Sequence, residues 1–255
     1  MKFSIITCTL NSEKFLRDNI ESVKNQTFKD YEHIFIDGFS IDKTKDLILE
    51  YQKNQSEGKV KFYQLPPKGI ANAFNEGIRK SKGEYLIHLN SDDYFYSNDV
   101  LERVNNFLIK NDYDWIYGII KIISEKKGYI GFWPFKKIWH RKSNFLGRYL
   151  LKFHNFVSHQ AVFIKKKVFE KFGYFNEDLK VAVDTEYWLR IKNKTNWRFF
   201  KIIVSNYRIR EGANSIKNKE IYKNEYNFIR KKYLNSLEEL LARFIDFISQ
   251  FYAKH

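Results

Sequence analysis

The first half of the chain alternates short apolar runs with stretches whose apolar residues recur every three or four positions. Side chains repeat about every two residues along a strand and about every 3.6 along a helix, so the alternation predicts strands and helices in turn. "KFSIITCTL" predicts a first strand, and "NSEKFLRDNIESVKNQ" a helix capped by Asn11 or Ser12 with Phe15, Leu16, Ile20 and Val23 on one face. "YEHIFI" is the second strand, followed by the turn "DGFS", the helix "IDKTKDLILEYQ" and the third strand "KVKFYQL". "PPKG" breaks the chain before the helix "IANAFNEGIRKS". "EYLIHL" predicts a fourth strand and "NDVLERVNNFLIK" a helix, with Val100, Leu101, Val104, Phe107 and Leu108 at helical spacing. Strands alternating with helices in this way are the signature of βαβ units and a mostly parallel sheet.

After residue 112 the alternation loosens into strand-like "DWIYGIIKII", a basic and aromatic segment, a strand "HQAVFI", a helix from about Asp184 and a strand "NWRFFKIIV". No repeat or low-complexity linker interrupts it, so one α/β unit over residues 1–215 is expected, with halves 1–112 and 113–215. The tail from 216 to 255 is predicted to be a helical extension. In it Leu234, Leu237, Leu241, Phe244, Ile248 and Phe251 fall at helical spacing, with Glu238, Arg243 and Asp246 elsewhere. Such an amphipathic helix packs on the core, pairs with a second copy as a homodimer, or lies on a membrane.

Composition narrows the class. A chain of 255 residues is long enough for a sizeable core without a covalent staple. The single cysteine, Cys8, rules out an intramolecular disulfide, and no Cys/His spacing suggests zinc, so a reduced, cytoplasmic setting is expected. The opening "MKFSIITCTLNSEK" is too short an apolar run for a signal peptide and reads as the first strand. No apolar stretch approaches the roughly 20 residues of a membrane span. The formal charge of +15 is concentrated: residues 121–171 hold thirteen Lys or Arg against Glu125 and Glu170. That segment faces something anionic. Within it Phe132, Trp133, Phe135, Trp139 and Phe145 interleave with six Lys or Arg between Lys136 and Lys152, which suits an anionic lipid interface. Single-stranded nucleic acid is the rival, and no nucleic-acid module accompanies it.

Polar residues cluster at the predicted strand ends: Thr7, Thr9 and Asn11; Asp37, Gly38 and Ser40; Asn90, Ser91, Asp92 and Asp93. Ligands of open parallel sheets bind outside the carboxyl ends of the strands. Singly, Asp37 or Asp92 reads equally well as a helix cap or turn residue. The adjacent carboxylates Asp92 and Asp93 repel unless a proton or cation compensates, and they form a seat for Mg²⁺ or Mn²⁺ with a phosphorylated ligand, a nucleotide. No P-loop or Gly-x-Gly-x-x-Gly is present, which excludes two common nucleotide-binding classes.

Taken in order, "FSIITCTLNSEKFLRDNIESVKNQTFKDYEHIFIDGFSIDKT", "GIANAFNEGIRKSKGEYLIHLNSDD", "HQAVF" and "VDTEYWLRI" resemble the family 2 glycosyltransferases with the GT-A fold, over roughly residues 3–215. The resemblance implies a Rossmann-like sheet flanked by helices. It implies an inverting, divalent-metal-dependent enzyme that moves a sugar from a nucleotide-sugar to an acceptor hydroxyl on a glycan or lipid-linked carrier. The setting it implies is assembly of a bacterial surface glycan such as lipopolysaccharide O-antigen or capsule, at the inner face of the cytoplasmic membrane. Carried over by position, it makes Thr7, Cys8, Thr9, Asp37 and Gly38 the nucleoside floor, and "GIANAFNEGI", with Asn75, the donor-binding helix. Many members have two adjacent aspartates where this chain has Asp37-Gly38. Ser91-Asp92-Asp93 stands where the family has Asp-x-Asp, with Asp93 on metal and diphosphate, and Asp92 on metal and the donor's ribose or sugar. Asp184 takes the role of catalytic base, with Glu186 as its alternative. His159 and Gln160 fall on the acceptor side, and Arg210 in the loop "RIREGANS" faces the diphosphate. A catalytically idle relative that only binds a nucleotide-sugar is the other expectation.

Overall fold

The computed structural model describes residues 1–125, 128–134, 147, 149–153, 155–210 and 219–242. The basic, aromatic stretch 135–146, most of the loop after Arg210 and the tail beyond 242 lie outside the described residues, as does His140.

The first half follows the predicted alternation: β1 (Phe3–Thr9), α1 (Glu13–Lys24), β2 (Tyr31–Asp37), α2 (Thr44–Lys53), β3 (Val60–Gln64), α3 (Ile70–Lys80) and β4 (Tyr85–His88). A two-residue strand β5 (Tyr94–Phe95), α4 (Val100–Ile109), β6 (Trp115–Ser124) and β7 (Gly128–Trp133) follow. Then come a 3₁₀ turn (His159–Ala161), β8 (Val162–Lys165), α5 (Lys166–Phe172), α6 (Val183–Ile191), β9 (Trp197–Ile209) and α7 (Lys219–Tyr233). Helix α2 starts at Thr44 because Asp42 is spent as a cap, accepting the N–H groups of Glu13 and Thr44, while Ile41 stands in solvent.

The nine strands of the described residues form one sheet in the order β3, β2, β1, β4, β8, β6, β9, β5, with β7 paired to β6. Pairing is parallel through β3, β2, β1 and β4, as the alternation predicts. Beyond β4 it is mixed: β8 runs antiparallel to β4 and β6, while β6 and β9 are parallel. This second half departs from a mostly parallel sheet because the 3₁₀ turn leads β8 in from the opposite end.

Both faces are covered, so the central strands are buried on both sides, and all seven residues of β2 are buried. Along β1 the alternation assigns Ile6 to one core with Phe74, Ile78, Trp115, Phe169 and Trp188, and Phe3 and Ile5 to the other with Val23, Leu101, Val104 and Phe163. Helix α3 lies hard against β1: a Cβ on Gly77 would sit 2.3 Å from Cγ2 of Ile6. Among the described residues, no helix is long and apolar enough to cross a membrane. In the tail, Leu234 is buried against Phe153, whereas Leu237 and Leu240 are exposed.

Candidate active site

Parallel strands bring their carboxyl ends to one edge of the sheet, and an antiparallel strand brings its beginning there. Tyr85 of β4 faces Lys165 of β8 and Leu86 faces Ile164. That register carries His159 and Gln160, just ahead of β8, to the end of β4 where Asn90 to Asp93 lie. The two residues occupy a 3₁₀ turn and not the start of a strand as expected, which aims the His159 ring sideways along the edge.

Four side chains form a connected row there. The Asn90 amide donates to Asp93 Oδ2 at 3.0 Å. Its carbonyl oxygen lies 3.3 Å from His159 Nε2, and His159 Nδ1 lies 3.2 Å from Asp184 Oδ2. Asp184 sits in the first turn of α6, with His159 and Asp184 both about one-fifth exposed. Asp93 is fully buried, and its Oδ1 accepts the backbone N–H of Arg208 at 2.9 Å. Burial, and then the charge of Asp92, push the Asp93 carboxyl up to about 8, against the opposing hydrogen bonds from Arg208, Asn90 and Gln160. Asp92 pairs with the guanidinium of Arg210.

A second feature adjoins this row. A cavity of about 230 Å³ opens between the ends of β1 and β2 and the start of α3, walled by Cys8, Thr9, Leu10, Ile36 and Gly38 on one side and by Leu65 to Ile70, Asn72 and Ala73 on the other. Asp37 lies buried under this floor, where its carboxylate accepts from the Thr9 hydroxyl at 2.8 Å, the Ser40 N–H at 2.9 Å and the Gln64 amide at 3.1 Å. Burial holds the Cys8 thiol in its protonated form by pushing its pKa well up. Asn11 and Phe39 beside the cavity adopt positive φ, 50° and 59°, and for a phenylalanine that is an uncommon, strained conformation. None of Asp92, Asp93 and Asp184 is among the cavity's walls.

Several expectations are corrected. Thr7 is fully buried within β1, where it donates to the Leu89 carbonyl and lies 3.0 Å from His33 Nε2, and it is not among the cavity's walls. Asn75 is buried too: its amide donates to the Phe175 carbonyl and Glu177, and its oxygen accepts the Phe175 N–H. It pins a loop, and Asn72 and Ala73 of the same helix face the cavity in its place. Glu186 points away from Asp184, as two residues of helix require, into a buried cluster with Arg190 and Tyr233. Gln160 is buried, its backbone carbonyl accepting from Ser205 and its side chain hydrogen-bonded to Asp93, so it supports a carboxylate and offers little surface to an acceptor. Asn90 is the residue whose importance the sequence concealed, because its role as the link between His159 and Asp93 depends on the β8 register.

Among the described residues no three His, Cys, Asp or Glu converge on one point. Mg²⁺ and Mn²⁺ sites in phosphoryl-binding enzymes use one or two carboxylates and take the remaining oxygens from phosphate and water. Asp92 and Asp93 are carboxylates of that kind, and it is burial first, and the charge of Asp92 second, that raises the Asp93 carboxyl.

A cavity and a row of carboxylates at the carboxyl edge of an α/β sheet define an α/β protein with a ligand-sized site at its strand ends, and comparison gives it a family. The model described as Glycosyl transferase family 2 matches residues 4–173, and the chain belongs to that family. A PGL/p-HBAD biosynthesis glycosyltransferase of Mycobacterium bovis is 27% identical over 225 residues, covering 87% of this chain and 82% of the relative. An uncharacterized glycosyltransferase of Rickettsia felis is 28% identical over 243 residues, 92% of this chain and 38% of the relative. Among solved structures, S. aureus TarS 1-349 in complex with UDP-GlcNAc superposes with a TM-score of 0.70 at 22% identity, over 88% of this chain and 64% of that one. The mannosyltransferase PcManGT of Pyrobaculum calidifontis, in complex with GDP-Man and Mn²⁺, gives 0.61 at 15% identity, over 85% and 59%. The chain thus spans about 60% of the length of those structures. The GT-A, Rossmann-like α/β fold expected from the sequence is the fold observed.

Proposed function

We propose that this glycosyltransferase is inverting and metal-dependent, and moves a sugar from a nucleotide-sugar to a hydroxyl of a glycan or lipid-linked acceptor of a bacterial surface. The observation that carries the reading is the row Asp184, His159, Asn90, Asp93, which ties a carboxylate able to take a proton to the carboxylates suited to a diphosphate's counter-ion. In this reading the nucleoside enters the cavity over Cys8, Thr9 and Gly38, and the diphosphate extends toward Asp92 and Arg210. Nucleotide-sugars bound to TarS and PcManGT support that choice of ligand.

A sugar hydroxyl is a weak nucleophile until its proton is removed in the transition state. Asp184 accepts that proton as the acceptor oxygen bonds to the anomeric carbon. The carbon's bond to the diphosphate breaks on the opposite face, and its electron pair leaves with the nucleotide. Asp92 and Asp93 would hold Mg²⁺ or Mn²⁺, which when bound neutralises charge developing on the leaving diphosphate. Arg210 adds a fixed cation on the same side.

Thermal denaturation in the presence of UDP-, GDP-, CMP- and dTDP-sugars with Mn²⁺ tests the ligand class, since a ligand of the folded state raises its melting temperature. One of these is expected to stabilise the chain, and stabilisation by none of them defeats the proposal. Asp184→Asn is expected to bind that donor normally and to lose roughly 10²- to 10⁴-fold in turnover. Retention of most of the turnover removes Asp184 as the base.

A further inference from the structure

Helix α6, which carries Asp184 in its first turn, begins without a side-chain cap of its own, because its N-cap residue is Ala182. Backbone N–H groups at a helix start have no intrahelical acceptor and need one from elsewhere. Here the acceptor comes from α7. Glu225 takes the consecutive N–H groups of Lys180, Val181 and Ala182 at 2.6, 3.0 and 2.8 Å. Successive amides around one carboxylate form an anion nest, and hydrogen bonds to an ionised acceptor are the strong kind.

The same helix grips α6 a second time. The Tyr233 hydroxyl donates to Glu186, which also pairs with Arg190 and lies 3.7 Å from Lys232. Helix α7 is itself seated by Tyr226 and Arg230, both donating to the Phe153 carbonyl. The two fixings, at 180–182 and at 186, bracket Asp184. They come from a helix that begins well past residue 173, where the family match ends.

We infer that Glu225 is a positioning residue for the transfer: its carboxylate fixes the turn ahead of α6 and so holds Asp184 in line with His159. The C-terminal helix is therefore part of the catalytic apparatus and more than an appendage. This rests on the reading of Asp184 as the base. Misplacing a reacting group by about 1 Å can cost roughly 100-fold in rate, while donor binding, made by other elements, is untouched.

The test uses the full chain and the nucleotide-sugar, from the UDP-, GDP-, CMP- and dTDP-series, that stabilises the wild type, with turnover read as release of the free nucleotide (UDP, GDP, CMP or dTDP) when water takes the sugar. Glu225→Ala is expected to lose roughly 10- to 100-fold in kcat with donor affinity within about twofold, and Glu225→Gln, which keeps one acceptor oxygen, to fall between. Glu238→Gln is the control: it weakens the pair with Lys152 just beyond α7, leaves the two fixings at 180–182 and 186 in place, and is expected to turn over normally. On an Asp184→Asn background, Glu225→Ala is expected to add no further loss, because the two act through one group. Full turnover by Glu225→Ala, parallel losses of turnover and donor affinity, or a multiplied loss on that background each overturn the inference. So does a Glu225→Gln chain that does not fold, since the contact would then serve the fold alone. Near-normal turnover by Asp184→Asn removes the base and this inference with it, whereas an inactive Asp184→Asn beside a fully active Glu225→Ala removes the inference only.

Discussion

His33 and His88 are buried in the first half of the sheet, His33 against Phe35 and Thr7, His88 against Phe74 and Phe175. Burial drives both rings' pKa from the ordinary 6.5 down to about 3, with the neighbouring His159 adding to the effect on His88. A depressed folded-state value means that their contribution to stability is complete above pH 6.5 and is lost as the pH falls toward 3. Each ring then removes roughly 1.4 kcal/mol per pH unit below its ordinary value. Urea unfolding at pH 7 and pH 5 is expected to show the wild type losing stability on acidification, and His88→Phe losing roughly 2 kcal/mol less. Equal losses would mean that His88 is solvated or charged in the folded protein. Neither ring was legible as buried from spacing alone. The absence of Cys/His metal spacing says only that they are not zinc ligands, and burial on both faces of the sheet decides the rest. Asp93 and Asp184 were legible only through the ordered motifs around them, because a carboxylate at a strand end or in a first helical turn also serves as a turn or cap residue. Thr7 and Asn75 misled because the motifs that contain them also hold residues buried in the core.

Helix α3 shows how an element is placed by what it lacks. Phe74 and Ile78 bury the face that its apolar spacing predicts, and Gly77 on the same side lets the helix backbone approach Ile6. A methyl at Gly77 overlaps a β-branched side chain that is completely buried and has no free rotamer to take. Gly77→Ala is expected to lower stability by roughly 1–3 kcal/mol, measured by urea unfolding, despite alanine's better helix propensity. An unchanged or raised midpoint would mean that α3 moves outward at no cost, and the cavity wall of Ile70, Asn72 and Ala73 would move with it. The helices and the four parallel strands were legible because apolar periodicity is a local property. The direction of β8 was not, because pairing direction depends on partners as distant in sequence as Leu86 is from Ile164.

At the scale of the molecule, β8 lies between β4 and β6 and hydrogen-bonds to both, so the sheet runs unbroken from the first 112 residues into the second half. Trp115 stacks on Trp188 at 5.3 Å and on Trp197 at 4.7 Å, and the three share their core with Ile6 and Phe74 of the first half. Tryptophan fluorescence therefore reports a core that both halves build, and its unfolding curve is expected to coincide with that of far-UV circular dichroism. Two separated transitions would mean that the halves unfold as independent units.

The Arg208 amide that caps Asp93 belongs to β9 and lies 115 residues along the chain from its acceptor. A polypeptide still leaving the ribosome and halted short of residue 197 carries the nucleoside floor and both aspartates, yet has no β9 to shelter them. On the proposed reading, sugar transfer therefore waits on β9, and a product terminated before it holds the ingredients of the site without its chemistry.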